Sequence, residues 1–119
     1  MSETFMSTLR NNPDKIEFND VINYIEEHFI YTPTKFSNGV DDDRIVNPAG
    51  TNEGSCKIFA FAKLEGLTEE QTLACFGRFY RDDVLADPEG DNHANIRTFM
   101  RHGWTGIDFE ANALADSEQ

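Results

Sequence analysis

Gly66-Leu67-Thr68 limits what this chain can fold into more than any other stretch. It divides residues 52–84 (NEGSCKIFAFAKLEGLTEEQTLACFGRFYRDDV) into two helical segments. Thr68 and Gln71 have the spacing of a capping box. The Thr68 hydroxyl accepts from the N–H three residues on, while the Gln71 side chain reaches back to the Thr68 N–H. Gly66 stands where a helix C′ residue must turn left-handed, which a residue without a Cβ does at little cost. The stretch holds both cysteines and four of the ten phenylalanines. The expectation is a central αα-hairpin around which the rest of the chain packs.

The flanking segments extend that reading. Phe5, Met6 and Leu9 form a short apolar stripe of one or two helical turns, ended by Asn11-Asn12-Pro13. Phe18, Val21, Ile22, Ile25 and Phe29 recur at helical spacing with polar residues between them, predicting an amphipathic helix. Residues 31–50 change character, with Pro33, Pro48, Gly39 and Gly50. Extended pieces at Tyr31-Thr32 and Arg44-Ile45-Val46 flank the turn signal Asn38-Gly39, so an irregular two-stranded element is expected there. Asp41-Asp42-Asp43 reads as a solvated loop. Asp91 or Asn92 is expected to cap a last helix with Ile96, Phe99 and Met100 inside. Gly103 should end that helix, with Trp104 packing back on its last turn. Ile107 and Phe109 suggest a brief edge strand, and residues 115–119 a frayed end. The expected class is mainly α (α+β): a compact helical domain with four or five helices and a minor two- or three-stranded β element. Residues 1–119 read as one domain.

Composition narrows the function. Twenty-two acidic against ten basic residues give a net charge of −12, which repels phosphate backbones and anionic headgroups and argues against nucleic-acid and membrane-surface roles. The longest apolar run, residues 58–62, is too short to insert across a bilayer. The first residues carry neither a positive n-region nor an apolar h-region, which points to the cytoplasm. Two cysteines inside predicted helices read as reduced thiols. Phosphate-loop, dinucleotide and nucleophile-elbow motifs are all missing, and no cofactor is expected.

Cys56 is the foremost chemical candidate. It falls in the first turn of a helix capped by Asn52 or Ser55, where the positive dipole end and neighbouring Lys57 favour thiolate. A catalytic role needs a histidine from among His28, His93 and His102; the plainer reading is a small buried residue beside a tight Gly54 turn. Asn52, Gly54, Ser55 and Lys57 are candidates for holding an anion at the same helix start. Cys75, apolar on all sides, reads as core. Asp82, Asp83, Asp87, Glu89 and Asp91 do not follow a cation-loop spacing, and helix capping by Asp87 and Asp91 accounts for two of them, so no metal site is expected. Arg78, Arg81, Arg97 and Arg101 either neutralise nearby carboxylates or, if the last helices pack face to face, form a basic island. Tyr31, Phe36, Tyr80 and Trp104 read as core packing or as the lining of a pocket.

Several strings together carry a family resemblance. Tyr31-Thr32-Pro33-Thr34, Asn38-Gly39 and NPAGTNEGSCKIFAFA over residues 47–62 resemble the HopJ type III effector family. So do Leu73-Ala74-Cys75-Phe76-Gly77, Tyr80-Arg81-Asp82-Asp83-Val84-Leu85, Asn95-Ile96-Arg97-Thr98-Phe99-Met100 and Gly103-Trp104-Thr105-Gly106-Ile107. The resemblance covers roughly residues 18–114. It implies a bacterial protein delivered by type III secretion and brings no catalytic or binding residues with it. The expected function is a small cytoplasmic binding or interaction protein with a protein partner. The alternative is a cysteine-dependent hydrolase or thiol enzyme using Cys56.

Overall fold

The structure, a computed structural model, describes residues 2–116. Helix α1 (Ser2–Asn11) runs ten residues, longer than the expected one or two turns, and seats Leu9 fully in the core. Helix α2 (Phe18–His28) buries Val21 and Ile25 as its periodicity predicts. Phe29, the last member of that stripe, leaves the helix with extended backbone and opens strand β1 (Phe29–Tyr31). The cause is a tertiary partner. Strand β5 (Leu114–Asp116) pairs antiparallel with β1, Phe29 opposite Asp116 and Tyr31 opposite Leu114. Residues 115–116, expected to fray, are therefore in a strand, anchored by the buried side chains of Ala113 and Leu114. Residues 117–119 lie outside the described residues.

A second antiparallel sheet has the order β3-β2-β4. Strand β2 (Phe36–Asn38) pairs with β3 (Ile45–Asn47) on one side and with β4 (Asp108–Phe109) on the other, so β4 is the expected edge strand. Tyr31-Thr32 takes no part in this hairpin, and Asn38-Gly39 is not a two-residue turn. Asn38 is the last residue of β2 and is wholly buried, and the chain returns through a 3-10 turn at Asp41–Asp43. Gly39 (φ 99°) instead serves a close backbone crossing. Its N–H donates to the Gly106 carbonyl at 3.0 Å, and a Cβ on Gly106 would come within 2.6 Å of Gly39 N.

Helix α3 (Glu53–Glu65) is the hub. Phe59 meets Phe36, Phe76 and Phe99 on one face at 5.0–5.9 Å, while Phe61 meets Tyr24, Phe29 and Phe5 on another. Both faces are apolar because the helix is covered nearly all round. The predicted break follows it. Gly66 is left-handed, and both capping-box bonds at Thr68 and Gln71 are 3.0 Å. The next helix stops early. Helix α4 spans only Glu69–Ala74, Gly77 turns left-handed (φ 59°), and the chain resumes as a π-helical turn at Phe79–Val84. A Cβ on Gly77 would stand 2.5 Å from the Phe18 backbone nitrogen, so the break lets the start of α2 come close.

Helix α5 (Ala94–His102) starts at His93, not at Asp91 or Asn92. Arg97 takes the Asn92 side chain away from capping. Its guanidinium donates to Asn92 O and Asn92 Oδ1, both at 2.6 Å, and to Asp87 O at 2.8 Å. Ile96 and Phe99 face inward, whereas Met100, expected inside, is 43% exposed. Trp104 stands edge-on to Phe99 at 5.2 Å and donates its indole N–H to Leu67 O, tying α5 to the αα-hairpin. Helices thus dominate, with small antiparallel sheets beside them, the α+β class.

Candidate functional site

The first turns of α3 and α5 lie side by side on a cleft of about 400 Å³. One wall carries Asn52, Gly54 and Ser55, and the other His93, Ala94, Asn95 and Ile96. Phe18, Phe76, Phe79 and Ile45 supply apolar surface. The two helix starts share an unusual feature. Asn52 (φ 48°) and His93 (φ 53°) are both left-handed N-caps, and neither side chain caps its own helix. The first intrahelical bonds run from Cys56 N–H to Asn52 O and from Arg97 N–H to His93 O. The N–H groups of residues 53–55 and 94–96 come before those bonds and find no acceptor within their helices. Two positive dipole ends therefore meet at one concavity.

Charge marks the cleft as well. In a chain with 22 acidic residues, none of the lining residues is acidic, and His93 is the titratable side chain among them. His93 packs on Phe79 at 5.3 Å, Phe79 stands edge-on to Phe18, and the His93 Nε2 lies 3.0 Å from the Asp83 carboxylate. Gly54 allows Phe18 in, since a Cβ there would touch the ring tip at 3.0 Å.

Beneath the cleft lies a layer of asparagines. Asn47 and Asn95 exchange two amide bonds, at 3.0 and 3.2 Å. Asn52 Nδ2 donates to the same Asn47 oxygen at 2.7 Å, and Asn38 Nδ2 donates to Asn95 O at 2.8 Å. Asn38, Asn47 and Asn95 are all buried, so these bonds replace water that the side chains have lost, apart from Asn38 Oδ1, which has no partner among the described residues.

Of the residues singled out from sequence, Asn52, Gly54 and Ser55 meet at the cleft, and Cys56 and Lys57 do not. Cys56 is 1% exposed, and its thiol donates to Thr34 O at 3.6 Å. Burial pushes that thiol up, outweighing the Tyr31 hydroxyl and Lys57, which favour thiolate. The helix start was expected to favour thiolate, and desolvation reverses that. His28 packs on Tyr24, His93 on Asp83 and His102 on Asp43, so the contacts formed by the three histidines lie elsewhere. Lys57 turns away from the cleft to Glu26 at 3.4 Å and lies 4.8 Å above the Tyr31 ring. Tyr31 donates to Glu53 at 3.1 Å, and burial pushes its hydroxyl up.

The remaining candidates separate. Cys75 is core, its thiol pushed up to about 12 by burial. The arginines form no island. Arg78 and Arg81 turn to Glu17, Arg101 to Asp43, and Arg97 is buried against the loop of Asp87 and Asn92. Phe36 packs in the core, Trp104 on Phe99 and Tyr31 on Glu53, so the aromatics line no common pocket. Sequence reasoning passed over Asn95 and Phe79. Asn95 left a trace, standing four residues before Phe99 on the inward face of an amphipathic helix, where a polar side chain needs a partner.

Fold and cleft together define a small, mainly helical α+β protein with a carboxylate-free concavity between two helix starts. The chain matches the HopJ type III effector protein model over residues 2–114 and belongs to that family. The match begins at residue 2, so the family pattern takes in α1 as well as the segment from residue 18. A crystal structure of a protein of unknown function, VPA0580, is 50% identical, with a TM-score of 0.91 over 97% of this chain and 92% of that one. No curated protein matches the sequence.

Proposed function

We propose that this protein is a small cytoplasmic binding protein whose ligand site is the cleft between the starts of α3 and α5. Its ligand carries a carboxylate or phosphate group on an apolar body, such as the end of a partner protein chain. The observation that carries this reading is the meeting of two uncapped helix N-termini on aromatic walls without a carboxylate, in a protein of net charge −12. Backbone donors at a helix start complement an anion, and Phe18 and Phe79 complement an apolar body. Long-range repulsion from the acidic surface slows capture of an anion, so the apolar contacts must contribute to selectivity.

Phenylacetate is a suitable probe. In amide-detected NMR titrations, the resonances of Gly54, Ser55, Ala94 and Asn95 should shift together. A Ser55→Asp variant should abolish those shifts, because it places a carboxylate in the cleft while an acid in a first helical turn leaves the helix sound. Shifts centred elsewhere, or surviving in Ser55→Asp, count against the reading. Family membership supports delivery by type III secretion. A translocation reporter fused to residues 1–50 tests it, and no transfer by a competent system would retire that part.

A further inference from the structure

We propose that Asn47 is a positioning residue that holds the two helix starts in register, through Asn52 on one side and Asn95 on the other. The inference rests on the cleft reading, and the second measurement below stands apart from it. Asn47 ends β3 and is 1% exposed. Its single Oδ1 accepts from Asn52 Nδ2 at 2.7 Å and from Asn95 Nδ2 at 3.0 Å, so one atom bridges the cap of α3 and the first turn of α5. Its Nδ2 donates to Asn95 Oδ1 at 3.2 Å and to Phe36 O at 3.4 Å, which anchors the bridge to β2. Both cleft walls are thereby referred to one strand end.

The arrangement also explains why Asn52 does not cap its helix. A left-handed N-cap gives up the local bond and reaches 5 residues back to Asn47. Asparagine suits this role twice over, because it tolerates φ > 0 and its amide can donate. Aspartate shares the first property and lacks the second. As a cap the two residues are nearly equivalent, so replacing one with the other separates a positioning role from a capping one.

Two variants test the inference. Asn52→Gly keeps the left-handed backbone and removes the tie. Its affinity for phenylacetate should fall about three- to tenfold, the range of one hydrogen bond, with the fold retained by circular dichroism. Asn52→Asp, measured without ligand, should move the side-chain amide resonances of Asn47 and Asn95 and speed exchange of the Cys56 amide. A wild-type protein that shows no phenylacetate shifts would retire the cleft reading, leaving the Asn52→Asp measurement to decide the positioning role. Unmoved Asn95 resonances and unchanged Cys56 exchange in Asn52→Asp would overturn the inference, as would undiminished affinity in Asn52→Gly where the wild type binds.

Discussion

The first turn of α3 presents two sides that differ in almost everything except sequence neighbourhood. On one, Asn52, Gly54 and Ser55 face a cleft shared with α5, with open backbone donors and a tie to the buried asparagines. On the other, Cys56, Lys57 and Glu53 are engaged by Thr34, Glu26 and Tyr31. The same helix dipole acts on both. Only on the cleft side does it face open space; the thiol side spends its donors within the protein and burial opposes charge there. A reactive group needs accessible surroundings as well as a favourable position along a helix.

The largest expected effect calibrates burial on the thiol side. Cys75 has no polar partner comparable to that of Cys56, and its folded value is raised from 9.0 to about 12. A raised folded value means that its contribution to stability is complete below pH 9 and is lost as pH rises towards 12. The slope is about 1.4 kcal/mol per pH unit. Denaturation followed across that window should show the loss, and Cys75→Ala should reduce it, leaving the dependence due to Cys56 and to the raised hydroxyls of Tyr24, Tyr31 and Tyr80.

Gly77→Ala should strike the cleft side from a distance. It forces a side chain into a left-handed site against the Phe18 backbone, costing about 2–4 kcal/mol. Urea denaturation gives the stability change. Phenylacetate shifts should weaken while both thiols stay protected, and equal disturbance of both sides would show that the two sides of the α3 start are not independent.

Cys56→Ala should cost about 1–2 kcal/mol through lost packing and leave phenylacetate binding intact. In the wild type, an aromatic disulfide reagent at pH 8 should find neither thiol reactive until the protein unfolds. Fast reaction of native Cys56 would return the thiol-enzyme reading. The smallest effect belongs to Lys57→Met. Its pairing with Glu26 is on the surface side of the fold, and removal should change stability by less than about 1 kcal/mol. Cleft affinity should not move; a clear fall would show that Lys57 reaches the ligand after all.

Features set by neighbours in the chain were readable without coordinates. The Gly66 turn, the Thr68 capping box, the amphipathic stripe of α2 and the return of Trp104 onto α5 each depend on residues within a few positions of one another. The failures share a different cause. Phe29 left its helix because β5 came from the far end of the chain, Asn38 became core because Asn95 awaited it, and α4 stopped at Gly77 because Phe18 needed the room. Half of the candidate site was visible at Asn52, Gly54 and Ser55. Its other half, His93 to Ile96, lies about forty residues on, and no local pattern joins the two.

By itself, the sequence determined that this chain is mainly helical, hinged at Gly66 and strongly acidic, because propensity, capping and net charge are local or additive. Tertiary structure decided which side of the α3 start is open. Whether Cys56 is charged or silent, and whether Asn52 caps or bridges, depends on what strands β2 and β3 and helix α5 bring against them. Desolvation and hydrogen-bond partnership are properties of the packed molecule, set by residues distant in sequence.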